Sequence, residues 1–132
     1  MKAAQHKVAE ETRESHGYVI SHADFPHQDY SANIESLLII KNVHSQQIIQ
    51  IKFLVFDLYY KPGESSCNYD YMYVKVSKTV SGRRKFCGEP ANKPALQHWY
   101  NFTVSGATAE IKFKTNGNPT VGKGFYFEYR GK

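Results

Sequence analysis

Hydrophobic and polar positions alternate with a period of two through most of the chain after Gly17. The clearest stretch is Gln46 to Leu58, QQIIQIKFLVFDL, where Ile49, Ile51 and Phe53 alternate with Gln50 and Lys52, the signature of a strand with one buried face. After Asp70, the residues Met72, Val74 and Val76 alternate with Tyr71, Tyr73 and Lys75, which predicts a strand with the first set inward. Trp99 to Val104, Ala109 to Lys114 and Phe125 to Tyr129 alternate in the same way, and Tyr18 to Ile20, Ile34 to Lys41 and Arg84 to Cys87 read as shorter strands. Turn signals separate them, notably Ala23-Asp24-Phe25-Pro26, Lys61-Pro62-Gly63, Lys78 to Gly82 and Thr115 to Gly124. No stretch has the 3.6-residue periodicity of an amphipathic helix, and no internal repeat is visible. Short strands at intervals of about ten residues describe an all-β antiparallel sandwich or barrel.

Composition supports this reading. Tyr (10) and Phe (8) supply much of the 41% hydrophobic content, and aromatic and β-branched side chains suit a pleated, half-buried surface. At 132 residues the chain is most simply one domain. Residues 2–15, KAAQHKVAEETRES, carry almost no large apolar side chain. Residues 1–16 therefore read as a mobile polar leader and 17–132 as the folded domain. Met1 to Gly17 lacks the apolar core of a signal peptide, and the longest apolar run, Leu37 to Ile40, is far too short to span a bilayer.

Charge is uneven along the chain. Residues 1–66 carry 6 basic and 8 acidic side chains, net −2, whereas residues 67–132 carry 11 and 4, net +7. The basic candidates Lys75, Lys78, Arg83, Arg84 and Lys85 gather around one predicted hairpin, with Lys112, Lys114, Lys123 and Arg130 on later strands and Lys112 and Lys114 outward on theirs. Outward tyrosines among these lysines suggest a binding surface for an acidic protein or a sulfated glycan. No nucleic-acid-binding motif accompanies the basic residues. With two cysteines in the chain, an intramolecular disulfide, if one forms, joins Cys67 to Cys87; two cysteines alone do not decide the redox compartment. Asn101-Phe102-Thr103 is an N-glycosylation sequon.

Other chemistry has little support. His22, Asp24, His27 and Asp29 crowd into one loop, but no standard zinc spacing is present and the loop reads as solvated. There is no G-x-S-x-G, no phosphate-binding glycine loop after a strand, and no thiol left over once the bridge forms.

The series Gly17-Tyr18-Val19-Ile20-Ser21, Phe25-Pro26, Tyr30, Phe53-x-x-Phe56-Asp57-Leu58, Cys67-x-Tyr69-Asp70-x-x-x-Val74, Phe86-Cys87-Gly88, Ile111-x-Phe113 and Gly124-Phe125-x-Phe127-x-Tyr129 resembles a CUB domain across residues 17–130. The resemblance implies a two-sheet, mostly antiparallel β-sandwich of jelly-roll type. It also implies secretion as a non-catalytic module that binds protein or glycan, similar to single-domain seminal plasma (spermadhesin) and venom proteins. The alternative is an accessory CUB domain cut from a larger extracellular protease or growth factor precursor, positioning substrate or partner. Homo- and hetero-oligomers both remain open.

The chain departs from the family pattern twice. The first cysteine pair usual in CUB domains is missing, and Ser36 and Leu38 stand where its second member would sit. Calcium-binding CUB domains carry an acid just after F-D-L, another in C-x-Y-D, and a third before the G-F motif. Here those positions read Tyr59, Asp70 and Asn116, with Asn118 two residues further on. One carboxylate and two amides make a degenerate site that is expected to hold no calcium, since that ion takes six to eight oxygens, several of them carboxylate. No cofactor is expected, and Asp70 is expected to bond turn backbone or a tyrosine hydroxyl.

Overall fold

The computed structural model describes residues 7–41, 48–63, 67–76, 83–103, 108–118 and 121–131, and for residues 7–11 and 83 the backbone only. Nine strands are described: β1 Lys7–Thr12, β2 His16–Ile20, β3 Glu35–Ile40, β4 Ile48–Asp57, β5 Tyr71–Lys75, β6 Arg83–Phe86, β7 Trp99–Thr103, β8 Ala109–Lys114 and β9 Gly124–Gly131. They form a five-stranded sheet in the order β1-β3-β8-β5-β6 and a four-stranded sheet in the order β2-β9-β4-β7. Every pair is antiparallel except β1 with β3. Apart from a 3-10 turn at Pro90–Asn92, no helix is described. The all-β sandwich expected from the alternation is the architecture of the molecule.

The core lies between the sheets and is filled by the alternating residues. Met72, Val74 and Val76 of β5 and its end, Ala109, Ile111 and Phe113 of β8, and Phe125, Phe127 and Tyr129 of β9 are all buried. Aromatic rings join the two layers edge to face, Phe53 against Phe86 at 5.1 Å and Phe113 against Phe125 at 4.9 Å between centroids, within the range such pairs prefer.

Strand β4 breaks the simple alternation. Phe53 and Phe56 are three residues apart, so strict pleating would send them to opposite faces, yet both are buried and their rings lie 5.2 Å apart. The register against β9 shifts between Phe53 and Val55. The extra residue of this bulge returns Phe56 to the inner face, which is the physical content of the F-x-x-F-D spacing.

Two glycines of the motifs are required by close approaches. Gly124, at φ +102°, opens β9, and a Cβ there would stand 2.0 Å from Ser21 Oγ. A Cβ on Gly88, straight after Cys87, would meet the Leu58 carbonyl oxygen at 2.1 Å. Cys67 and Cys87 are bridged with Cα atoms 5.6 Å apart, tying the approach to β5 to the end of β6.

Residues 7–12, within the expected leader, form the edge strand β1, with Val8 in register with Ser36 and Glu11 with Ile39. Little in residues 7–12 marks this strand, because an edge strand at a sheet margin needs few large apolar side chains. The expected hairpin turn over Lys78 to Gly82 lies outside the described residues.

Candidate functional site

Asp70 sits in the turn leading into β5 and is 1% exposed. Its carboxylate accepts a hydrogen bond from the Tyr30 hydroxyl at 2.6 Å through Oδ2 and one from the Asn116 backbone N–H at 3.1 Å through Oδ1. The Tyr30 oxygen in turn accepts the Tyr59 N–H at 2.9 Å, and the Asn116 side-chain oxygen accepts the Asn118 N–H at 3.0 Å. Burial pushes the Asp70 carboxyl above the usual carboxylate range, although both hydrogen bonds pull it back down. Tyr30 is driven upward by burial first and by the Asp70 carboxylate second, so it remains a hydroxyl donor.

This arrangement does not fit calcium. Both Asp70 oxygens already receive protein donors, the Asn116 amide oxygen is turned to its own loop, and Tyr59 contributes an N–H where the family pattern has an acid. A single carboxylate facing two donors offers neither the charge nor the oxygen count the ion requires. Among the described residues no group of three or more His, Cys, Asp or Glu could hold a metal. The polar centre joins the turn before β5, the loop before β9 and the loop carrying Tyr30, as an internal brace.

Asp24, His27 and Asp29 are exposed, as expected of a solvated loop, but His22 departs from that expectation. It is 5% exposed. Its Nε2 lies 2.5 Å from the Gln28 carbonyl oxygen, which can only accept, so Nε2 carries the proton. Nδ1, at 2.7 Å, then accepts from the Ser21 hydroxyl, whose oxygen receives the Phe125 N–H at 3.0 Å. Ser21 and His22 are thus fully occupied in fastening β2 to the start of β9.

The basic candidates separate on folding. Lys75 is in register with Arg83, Tyr73 with Lys85 and Val74 with Arg84, so pleating places Lys75 and Lys85 on the outer face and Arg84 on the face of Val74. The Arg84 guanidinium stacks at the sandwich margin, 4.6 Å from the Phe86 ring centre and 4.9 Å from that of Tyr100. Lys85 Nζ lies 4.4 Å from the Tyr71 ring centre. Lys75 pairs with Glu110 at 3.8 Å, and Lys112 with Glu35 at 3.4 Å. Lys78 lies outside the described residues, as does the Arg83 side chain. Between the paired lysines runs an open groove of about 210 Å³, with Leu37 and Tyr73 as its apolar part and the two ion pairs around it. Sequence alone did not bring Leu37, Glu35 and Glu110 to this surface, because the β3–β8–β5 order is a long-range pairing.

The outer face of the four-stranded sheet carries a second polar array. Trp99 is stacked by Arg130, whose guanidinium carbon is 3.8 Å from the ring centre, with Lys52 Nζ at 4.8 Å. Glu128 joins Lys52 at 3.5 Å and His16 at 2.6 Å, and the His16 contact, then Lys52, hold its carboxyl below the usual range against some desolvation. Arg130 Nε also donates to Gln50 Oε1 at 2.6 Å, and Gln50 Nε2 donates to Asn101 Oδ1 at 2.7 Å.

Two facing β-sheets, one disulfide and a buried Tyr–Asp brace define a β-sandwich with an open groove on one outer face and a polar array on the other. The chain belongs to the CUB domain family, whose pattern it matches over residues 9–129. It is similar in structure to the CUB1-EGF-CUB2 domains of rat MASP-1, at TM-score 0.72 and 23% identity, covering 96% of this chain and 43% of that one. It is also similar to the full extracellular region of zebrafish Gpr126/Adgrg6, at TM-score 0.65 and 27% identity, covering 94% of this chain and 14% of that one. A third similar structure is the MASP-1 CUB2 domain bound to Ca2+, at TM-score 0.67 and 21% identity, covering 92% of this chain and 96% of that one. The chain thus spans less than half the length of the first two. No curated protein matches it in sequence. CUB domains are typically protein-binding modules of extracellular proteins and are generally non-catalytic. No described helix is long and apolar enough to cross a membrane.

Proposed function

We propose that this chain is a secreted, non-catalytic recognition module that binds an extracellular protein through the outer face of its five-stranded sheet. The observation that carries this reading is the Leu37–Tyr73 groove bordered by the Lys75–Glu110 and Lys112–Glu35 pairs. A surface presenting both signs of charge around an apolar strip matches another protein's mixed side chains. A sulfated glycan would favour uniform positive potential, and here two of the lysines are already partly neutralised. Lys85 has no carboxylate partner among the described residues and adds a preference for acidic contacts beside the groove. The non-catalytic part is supported by the use of Asp70, Tyr30, Ser21 and His22 in structural bonds.

The test is capture from extracellular fluid with a cross-linker, comparing the wild-type chain with Tyr73→Ala and Lys85→Glu. A partner retained by the wild type and lost by both variants supports the reading. Capture unchanged by either variant removes it. A heparin column provides the glycan arm: elution at low salt is expected, and strong retention abolished by Lys85→Glu would transfer the site to a sulfated glycan. A second reading, that this domain positions partners for a larger extracellular protein, is favoured by its spanning 43% and 14% of the structures it resembles.

A further inference from the structure

The sequon Asn101-Phe102-Thr103 occupies β7, the edge of the four-stranded sheet. Asn101 and Thr103 are both exposed, and residues two apart on a strand share a face, so the acceptor and its hydroxyl partner point out together with Trp99. The hydrogen-bond chain decides how the Asn101 amide is turned. Arginine only donates, so the Gln50 atom facing Arg130 is its oxygen, and the Gln50 atom facing Asn101 is its nitrogen. The Asn101 oxygen therefore faces Gln50, and Nδ2 has no hydrogen-bond partner among the described residues.

From this geometry we infer that Asn101 carries an N-linked glycan whose first sugar lies against Trp99 at the β7 edge. The modification forms a bond between Asn101 Nδ2 and C1 of N-acetylglucosamine. The C1–O bond to a lipid-linked pyrophosphate donor breaks, Nδ2 loses a proton, and the lipid pyrophosphate leaves. The Asn101 oxygen keeps its bond from Gln50, so the attached sugar costs no buried contact. Trp99 is held by Arg130 and Lys52, whose cations lie over its ring, and the sugar's C–H face would take the part of the ring they leave open. The glycan also covers an exposed strand edge that would otherwise be open to pairing with another chain.

The inference rests on the secreted reading, and the two are separable in one experiment. The chain is expressed behind a signal peptide in mammalian cells, and cell lysate and medium are each treated with peptide-N-glycosidase. Glycan occupancy is read as a mobility shift in either fraction, while secretion is read in the medium alone. The expected result is a shift for the wild type, with Asp left in place of Asn101 after release, and no shift for Asn101→Gln or Thr103→Ala. Trp99→Ala is expected to keep the sequon but lose the melting-temperature gain that separates glycosylated from enzymatically deglycosylated wild type. An unshifted wild-type chain in both fractions overturns the glycan; an undiminished gain in Trp99→Ala overturns the stacking. A shifted chain retained wholly in the lysate preserves the glycan and counts against secretion.

Discussion

At the residue scale, Asp70 shows how a position of chemical promise becomes structural. Its two oxygens take one donor each, and its neighbours Tyr30 and Asn116 are themselves held by Tyr59 and Asn118. Replacing it with Asn turns one acceptor into an N–H that must face either the Tyr30 hydroxyl or the Asn116 N–H. Asp70→Asn is expected to lower stability by about 1–3 kcal/mol at neutral pH, the range for an unsatisfied buried donor, measurable by urea unfolding. The pH dependence has a definite sign. Because burial raises the folded-state carboxyl above its unfolded value, the native state holds the proton more tightly. The stability linked to that proton is fully present below the unfolded value and is lost as pH rises through the folded one. The gap between wild type and Asp70→Asn is therefore expected to widen as pH falls into the carboxylate range; a gap that narrows would contradict the assignment. The C-x-Y-D motif made Asp70 legible in the sequence. Its partner Tyr30 was not, since 40 residues separate them and ten tyrosines compete for the role.

At the element scale, the strands that alternate strongly were readable because one face of each is buried and the other wet. Two elements escaped this rule for different reasons. Strand β4 hides its bulge within a continuous run of apolar residues, so the inward positions of Phe53 and Phe56 needed the β9 register to be understood. Strand β1 lies at a sheet edge and runs parallel to β3. Val8 stands in register with Ser36, one of the positions where the missing cysteine pair would have a member, and the buried Ser36 hydroxyl has no hydrogen-bond partner among the described residues. The variant Val8→Cys/Ser36→Cys is expected to form a second bridge on oxidation, seen as two further hydrogens lost in the intact mass and resistance to alkylation. Free thiols at both positions under oxidising conditions would rule out the β1–β3 register. The basic hairpin teaches the converse lesson: Arg83, Arg84 and Lys85 are contiguous in sequence, yet strand pleating gives Arg84 to a different surface from Lys85.

At the scale of the whole molecule, two sheets share one core, one disulfide and a hydrogen-bonded brace around Asp70. Stability should accordingly depend on reductant and be indifferent to chelator. Opening the Cys67–Cys87 loop, with a sequence separation of 20, is expected to cost about 3 kcal/mol and to lower the melting temperature. Calcium or EDTA is expected to leave the melting temperature unmoved, because only a ligand that binds the native state shifts it by mass action. A calcium-dependent rise would show that oxygens outside the Asp70 brace complete a site. The charge asymmetry read from the sequence, −2 in the first half and +7 in the second, does not become one basic face, since folding interleaves the halves: β3 from the first pairs with β8 from the second.

That interleaving sets a timetable. Strand β9 lies between β2 and β4, although residues 124–131 emerge from the ribosome after both. The four-stranded sheet has no centre until its last strand arrives, and β2 must wait, unpaired, for a partner more than a hundred residues downstream. Such non-local closure belongs to the slow, millisecond-to-second class of folding, and the four-stranded sheet cannot close before β9 has been made. Shortening the chain within β9 removes the middle of a sheet rather than trimming its end.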